Sequence, residues 1–344
     1  METKDMLQNT YYIGMEKNDP SLEGGWLSVH IYSGLAPDVI VKHAVHPLVT
    51  ELLNTRRIER FFFVRYFDRG PHVRLRLQVS DGQGDEGVKA LIANHLSFFF
   101  AGHPSADEKT INNSEHLRDC FLYIKYEPEL ARYGGPQGVL LAEQQFGFSS
   151  KASLAVVSGG EHSAYDSRVA AAVLMHASFL LQLDFEDLIC SKVLKCISTV
   201  WASYALSSGV RTMPTARMSE EHLFELFEGA FCRQRHRFEC LIGDLRMIIS
   251  GDADVKQAWL KTWIEDISHF APVFHAIVPR LEIVAGQPHG ECFETLLLAQ
   301  KSTLVDSYIH MTNNRLGIQN KDEAYIAYIL YRLFDQEAKE GDRR

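Results

Sequence analysis

Two arginines lie on one short segment of the chain in a pattern that favours binding of an anion. Residues 72–77 read HVRLRL, and the side chains of a β-strand alternate between its two faces. A strand here would place His72, Arg74 and Arg76 on one face and the aliphatic residues on the other. Each guanidinium group can bind a carboxylate or a phosphate through two parallel hydrogen bonds. The pattern predicts an anion-binding surface, joined by Arg65 of the preceding strand. The alternative from pattern alone is a solvated face with surface ion pairs.

A second candidate segment lies in the later part of the first half of the chain. Residues 126–135 read YEPELARYGG, and the paired glycines indicate a tight turn with a close approach of the backbone. Such a turn could direct Arg132 inward, beside Tyr133. Taken alone, the segment is more typical of a structural loop.

A third candidate segment contains a histidine close to the C-terminus. Residues 307–317 read SYIHMTNNRLG, and helical spacing would place His310 and Asn314 on one face, followed by Arg315. Histidine can accept or donate a proton near neutral pH. A single histidine on a helix is nevertheless more often structural than catalytic.

The elements that position these residues follow from the hydrophobic pattern. Strand-forming patterns predominate in the first third of the chain, with turn residues between the second and third strands that indicate a hairpin. The predicted strands cover residues 26–32, 58–67, 72–79 and 121–126, and a helix is predicted over 88–100. The later predicted helices cover 136–146, 167–183, 185–207, 220–249, 255–284, 291–313 and 321–338, with loops at 158–163, 208–218 and 285–290.

These patterns predict an α+β fold. No linker is long or polar enough to separate two independently folded domains. We therefore expect one domain over residues 1–344, with a strand-rich part up to about residue 135 and a helical part over about 136–344.

Composition excludes several classes of protein. The 344 residues are 46% hydrophobic and 23% charged, as in ordinary globular proteins. The net charge of −9 shows that the chain is not strongly basic, as a typical nucleic-acid-binding protein would be. The most apolar segment, 169–183, is too short to span a membrane and predicts a buried helix. No secretory signal is evident, and the six cysteines lack zinc spacing, which indicates buried free thiols in a reducing cytoplasm.

Several segments together resemble a known family. In chain order they read WLSVHIYSG, FFFVRYFDRGPHVRLRL, YEPELARYGG, AEQQFGFSS, SYIHMTNNRLG and DEAYIAYIL. The chain resembles the thiopeptide-type bacteriocin biosynthesis family, which is related to the C-terminal glutamate-elimination domain of class I lanthipeptide dehydratases. The resemblance runs from about Trp26 to the last helix. It departs at Ala131, where an acidic residue often precedes the arginine.

The resemblance implies a lyase reaction. A separate tRNA-dependent enzyme esterifies a serine or threonine of a precursor peptide with glutamate, and the elimination domain then expels glutamate to leave dehydroalanine or dehydrobutyrine. The family-essential positions correspond here to Arg74, Arg76, Arg132 and His310. On this reading the arginines hold carboxylate groups and stabilise developing negative charge, while His310 transfers a proton. The expected substrate-binding residues are Arg65, His72, Tyr133, Asn314 and Arg315, of which Tyr133 and Asn314 are candidates to orient His310.

The resemblance also implies partners. We expect the protein to bind a precursor peptide composed of leader and core, and to act with the separate glutamylation enzyme, which would carry the RNA-binding function. Homodimerisation is expected by analogy with the family. The chemistry requires no metal or organic cofactor, and no direct contact with nucleic acid or membrane is expected.

Two alternative functions remain open from the sequence. Relatives that act as pyridine synthases join two dehydroalanines in a formal (4+2) cycloaddition and release the leader peptide. They have typically lost the four residues that this chain retains. The second alternative is a non-catalytic subunit that docks a precursor peptide, for example along a strand edge.

Overall fold

The computed structural model describes residues 25–80, 85–105, 117–160, 164–208, 218–281 and 296–341. The predicted loop at 285–290 lies outside these residues. The predicted loops at 158–163 and 208–218 and the helices at 255–284 and 291–313 lie partly outside them. The chain forms two compact units, one of residues 1–128 with 149–160 and one of residues 129–148 with 161–344. The predicted α+β class is confirmed.

The first unit is built on a four-stranded antiparallel sheet. Its strands are β1 (Trp26–Tyr32), β2 (Ile58–Tyr66), β3 (His72–Val79) and β4 (Cys120–Tyr123), in the spatial order β2-β3-β1-β4. The four predicted strands are confirmed, as is the hairpin of β2 and β3. The fourth strand ends at Tyr123 rather than at residue 126.

The aliphatic face of the sheet forms the core of this unit. Alternation along β3 sends Val73, Leu75 and Leu77 into the core, where none of the three is exposed to solvent. Helix α3 (Asp85–Gly102), which contains the predicted helix over 88–100, packs one apolar side into the same core, with Val88, Ile92, Leu96, Phe99 and Phe100.

A helical segment between β1 and β2 was not predicted. It consists of α1 (Pro37–Ile40), a π-helical turn (Val41–Val45) and α2 (His46–Asn54). Its buried apolar residues recur at the three- and four-residue spacing of a helix. The high content of β-branched residues hides this period, since valine and isoleucine are also typical of strands.

The second unit is almost entirely helical. Its elements are α4 (Leu130–Tyr133), α5 (Pro136–Ser158), α6 (Tyr165–Gln182), α7 (Asp187–Ser208), α8 (Glu220–Ser250), α9 (Ala258–Ile277) with a 3₁₀ turn (Val278–Arg280), α10 (Leu296–Leu316) and α11 (Asn320–Gly341). Each helix predicted after residue 135 is present. Helix α5 continues to Ser158, twelve residues beyond its predicted end, and the boundary between the units falls within it.

The predicted buried helix around residues 169–183 is confirmed as α6. None of the helices in the described ranges is both long enough and apolar enough to cross a membrane. The described cysteines are free thiols, and Cys120 and Cys190 are buried as predicted. Cys232 and Cys240 are instead exposed on α8, because they lie on its solvent-facing side.

A polar residue in the core of the second unit is held by one strong contact. His176 of α6 is only 2% exposed, and its Nε2 atom lies 2.7 Å from Oδ1 of Asn313 on α10. Burial lowers the pKa of His176 to about 4, although the hydrogen bond to Asn313 opposes this shift. The histidine is therefore neutral near pH 7 and donates from Nε2.

The tight turn predicted from the paired glycines is confirmed between α4 and α5, but the close approach of the backbone occurs at Gly138 and not at Gly135. Gly134 and Gly135 have φ angles of 73° and 97°, which a residue with a side chain adopts only with strain. A Cβ atom added at Gly138 would lie 1.5 Å from the carbonyl oxygen of Tyr133. The first turn of α5 thus requires glycine at this position.

We predict that Gly138→Ala destabilises the protein by about 1–3 kcal/mol, the usual range for inserting an atom into a packed site. The measurement is the free energy of unfolding in urea. Gly243→Ala on α8 is the matched control, because nothing lies within 4 Å of the added atom there. The control should equal or exceed the wild type in stability, by up to about 1 kcal/mol. Equal stability of the two variants would contradict the prediction.

We also predict that His176 makes stability fall as the pH is lowered. The unfolded histidine binds a proton below about pH 6.5, whereas the folded one stays neutral down to about pH 4. The stabilisation is thus complete above pH 6.5, and about 3 kcal/mol is lost between pH 7 and pH 4. His176→Gln keeps a donor for Asn313 and does not titrate, so its stability should fall less over this range. Identical pH profiles for the two proteins would contradict this prediction, and the exposed His222→Gln serves as control.

Candidate active site

Strand pairing gathers the predicted anion-binding residues on one face of the sheet, here called the arginine face. Residues directly opposite in an antiparallel pair point to the same side. Arg74 is opposite His30 of β1, and Arg76 is opposite Ser28. On the other side of β3, His72 is opposite Tyr66 of β2. We define the arginine face by Ser28, His30, Phe62, Tyr66, His72, Arg74 and Arg76.

Arg74 is held by a neutral histidine and an aromatic ring. Its Nε atom donates to Nε2 of His72 over 3.1 Å, and its guanidinium carbon lies 3.4 Å from the centroid of the Tyr66 ring. Nδ1 of His72 lies 2.9 Å from the carbonyl oxygen of Gly70, so Nδ1 carries the proton of this imidazole. Burial is the main cause of the lowered pKa of His72. The two terminal amino groups of Arg74, which can grip a carboxylate, take no part in the bond to His72.

Arg76 is more deeply buried and lies between aromatic rings. Only 9% of the residue is exposed. Its guanidinium carbon is 4.8 Å from the ring centroid of Tyr126 and 5.4 Å from that of Phe62. Such contacts stabilise a cation that has lost much of its water. The rings therefore help to keep a permanent charge on a largely buried surface.

His30 belongs to the same face and was missed from the sequence. It is 5% exposed, and its ring stacks on His72 at 5.3 Å. Burial, followed by repulsion from Arg76 and Arg74, lowers the pKa of His30 to about 2, so the ring is neutral. Within the described ranges, Nδ1 of His30 and Oγ of the neighbouring Ser28 have no hydrogen-bond partner. The sequence pattern of residues 26–32 predicted a strand, but only the pairing of this strand with β3 places His30 beside the arginines.

The prediction that Arg65 joins the arginine face is wrong. Arg65 is opposite Val73 in the register, and therefore points toward the aliphatic side of the sheet. There it forms an ion pair with Asp38 of α1. The alternation along β2 explains the difference, because Tyr66, one residue further on, occupies the position facing His72.

The second unit contains a histidine–carboxylate pair formed by α10 and α11. Nδ1 of His310 lies 3.0 Å from Oε2 of Glu323, and the imidazole stacks on the Trp201 ring at 4.3 Å. Glu323 is 2% exposed, whereas 26% of the His310 side chain is exposed. Burial raises the pKa of Glu323, and its contacts with His310 and Asn313 oppose this rise.

A second carboxylate, Asp306, interacts with His310 and with Arg132. Asp306 precedes His310 by one helical turn. Burial raises its pKa, while His310, Trp201 and Arg132 act in the opposite direction. The Arg132 side chain is 42% exposed and bonds to Glu129 at 3.3 Å. The second unit thus combines a partly exposed histidine, an arginine and two buried carboxylates, a set able to move a proton and to balance the resulting charge.

The remaining predicted residues have structural contacts. The Tyr133 hydroxyl lies 2.9 Å from Oγ of Ser307. This hydrogen bond links α4 to α10 and does not involve His310. Arg315 is fully buried, donates to the carbonyl oxygen of Met311 and packs over the Phe146 ring. These contacts indicate that Arg315 supports the packing of the second unit. Asn314 lies on α10, one turn after His310.

The predicted residues therefore form one group in each unit. His72, Arg74 and Arg76 belong to the first unit, while the second unit holds Arg132, Tyr133, His310, Asn314 and Arg315. Sequence reasoning missed Glu323, Asp306 and Trp201. The four-residue spacing of Asp306 and His310 was a usable signal. Glu323 and Trp201 come from other helices, and no pattern in the sequence connected them with His310.

Comparisons with known proteins identify the family. The profile described as "Lantibiotic biosynthesis dehydratase C-term" matches residues 26–334. No functionally curated protein matches significantly.

Three solved structures share the fold at low identity. The structure described as "Pyridine synthase, TbtD, from thiomuracin biosynthesis" has a TM-score of 0.61 at 14% identity and covers 92% of this chain and 99% of its own. TsrL has a TM-score of 0.53 at 14% identity, with 91% and 95% covered. The tRNA-dependent lantibiotic dehydratase MibB from Microbispora sp. 107891 has a TM-score of 0.52 at 18% identity; the match covers 96% of this chain but 29% of MibB. With the profile match over nearly its whole length, the chain belongs to the family of lantibiotic biosynthesis dehydratase C-terminal domains.

Proposed function

We propose that this protein eliminates glutamate from glutamylated serine or threonine residues of a ribosomally made precursor peptide. The observation that carries the proposal is the pair of guanidinium groups of Arg74 and Arg76 on the arginine face. Of the two reactions associated with this fold, elimination is the one that expels a glutamate with its carboxylate groups. Paired guanidinium groups are the side chains best suited to bind such a leaving group.

The proposed reaction breaks the Cα–H and Cβ–O bonds and forms the second Cα–Cβ bond and a bond between the proton and the base. A base removes the Cα proton of the esterified residue, and the electron pair of the Cα–H bond forms the Cα–Cβ double bond. The Cβ–O bond breaks at the same time or afterwards, and its electron pair leaves with glutamate as a carboxylate. The products are a dehydroalanine or dehydrobutyrine residue, free glutamate and a protonated base.

His310 is assigned the proton transfer. Its Nδ1 atom is occupied by Glu323, and Nε2 has no hydrogen-bond partner in the described part of the chain. The partial exposure of the side chain makes it accessible to a peptide. Arg132 is assigned to stabilise the negative charge that develops when the Cα proton leaves, because a guanidinium cannot itself lose a proton at neutral pH.

The proposal includes two partners. The substrate is a precursor peptide, and a separate glutamylation enzyme that uses glutamyl-tRNA supplies the ester. The likeness to MibB, which is described as a tRNA-dependent lantibiotic dehydratase, supports this pairing by analogy.

We predict that wild-type protein converts a synthetic peptide with a glutamyl-serine ester to the dehydroalanine peptide and free glutamate, as followed by mass spectrometry. Arg76→Ala and His310→Ala should each lower the rate by about 100-fold or more, the usual effect of removing an anion-stabilising group or a general acid–base. Arg76→Lys keeps the charge but loses the two-point grip, so it should also be impaired.

Two surface variants serve as controls. Arg235→Ala and His222→Ala remove exposed residues of α8 that form local ion pairs with Glu239 and Glu225. Both should retain the wild-type rate. Full activity of Arg76→Ala and His310→Ala would overturn the assignment. A protein that leaves the ester intact but converts a bis-dehydroalanine peptide to a cyclised product with release of the leader would be a pyridine synthase instead.

A further inference from the structure

We infer that Glu323 is the positioning residue that selects the reactive nitrogen of His310. By accepting a hydrogen bond from Nδ1, Glu323 keeps the imidazole proton on that atom and leaves Nε2 as the nitrogen that receives the substrate proton. This inference rests on the proposed function, in which His310 transfers the proton.

The order of donors and acceptors in the core supports this assignment. Neutral His176 donates from Nε2 to Oδ1 of Asn313 over 2.7 Å. That bond turns the amide nitrogen of Asn313 toward Glu323, to which it donates over 3.3 Å. The same oxygen, Oε2, lies 3.0 Å from Nδ1 of His310. With Oε2 already an acceptor from Asn313, the consistent arrangement has Nδ1 of His310 as the second donor.

Solvent exposure along this series of hydrogen bonds increases from the core to His310. Asn313 and His176 are 1% and 2% exposed, and Glu323 is 2% exposed. His310, at the end of this series, has a side chain that is 26% exposed. The Trp201 ring stacked on the imidazole restricts its rotation. The contacts fix the Nδ1 side of the ring toward the core, which leaves the Nε2 side for a substrate.

The chain also contains a matched pair without this support. Nδ1 of His222 lies 3.2 Å from Oε2 of Glu225 on the surface of α8. The atoms are the same as in the His310–Glu323 pair, but both side chains are more than half exposed. The difference between the two pairs is the buried network, which makes Glu225 the natural control.

The test compares the kinetics of Glu323→Gln with those of the wild type on the glutamyl-serine ester peptide. The carbonyl oxygen of glutamine can take the place of Oε2 and still accept from Asn313 and Nδ1, but the negative charge that stabilises the imidazolium formed by proton transfer is lost. We expect kcat to fall by about 100-fold, with KM changed less than about threefold. Glu323→Asp keeps a carboxylate, although it is shorter, and should retain more activity than Glu323→Gln. Glu225→Gln should behave as the wild type.

A double-variant cycle separates positioning from general structural support. If Glu323 acts through His310, Glu323→Gln should cause no further loss in a His310→Ala background. An equal fold-loss in both backgrounds would overturn the inference. So would a wild-type kcat in Glu323→Gln, or a loss that lies in KM alone.

Nitrogen NMR of histidine-labelled protein provides a readout independent of activity. The His310 signals, identified by their loss in His310→Gln, should show a proton on Nδ1 in the wild type, and this preference should be lost in Glu323→Leu, which offers Nδ1 no acceptor. A wild-type proton on Nε2 would overturn the inference even if the enzyme is active. If the wild type shows no elimination, the proposed function fails, and the NMR result alone decides whether Glu323 sets the state of His310.

Discussion

The permanent positive charge of Arg74 and Arg76 constrains the groups that can lie around them on the sheet. A guanidinium group keeps its charge when it is buried, so its neighbours must adapt instead. His30 and His72 adapt by staying neutral, and their pKa values are lowered by burial and by the arginines. A neutral His72 can then accept a hydrogen bond from Arg74. The aromatic rings around Arg74 and Arg76 replace part of the lost water without adding charge.

In the second unit the buried charged groups are carboxyl groups, and they too require neighbours that compensate for the lost water. Glu323 and Asp306 are carboxyl groups whose burial raises their pKa values. Hydrogen-bond donors from His310 and Asn313 offset this effect at Glu323. A buried polar network is stable only when each donor meets an acceptor. The order from His176 to His310 satisfies this condition, and it also determines which nitrogen of His310 is available.

The comparison with known structures illustrates that this fold carries more than one chemistry. A structure described as a pyridine synthase and one described as a tRNA-dependent dehydratase both share it with this chain. Function in such a family depends on the side chains of the site rather than on the fold. The proposal of elimination therefore rests on the side chains of Arg74, Arg76, Arg132 and His310.

The sequence alone determined the features that depend on local period and local turns. The alternation in β3 predicted one aliphatic face and one arginine face, and the turn residues before it predicted the hairpin with β2. Helical period located the helices from α5 onward, although it missed the short α4 and the helical residues 37–54, where β-branched side chains obscured it.

Only the tertiary structure decided which distant residues meet. Pairing of β1 with β3 brought His30 to Arg74, and the register of β2 turned Arg65 away to Asp38. The packing of α11 against α10 brought Glu323 to His310. These contacts join residues of separate strands and helices, and sequence period describes one element at a time. The partners of the site residues were therefore fixed by packing and register, which no local pattern records.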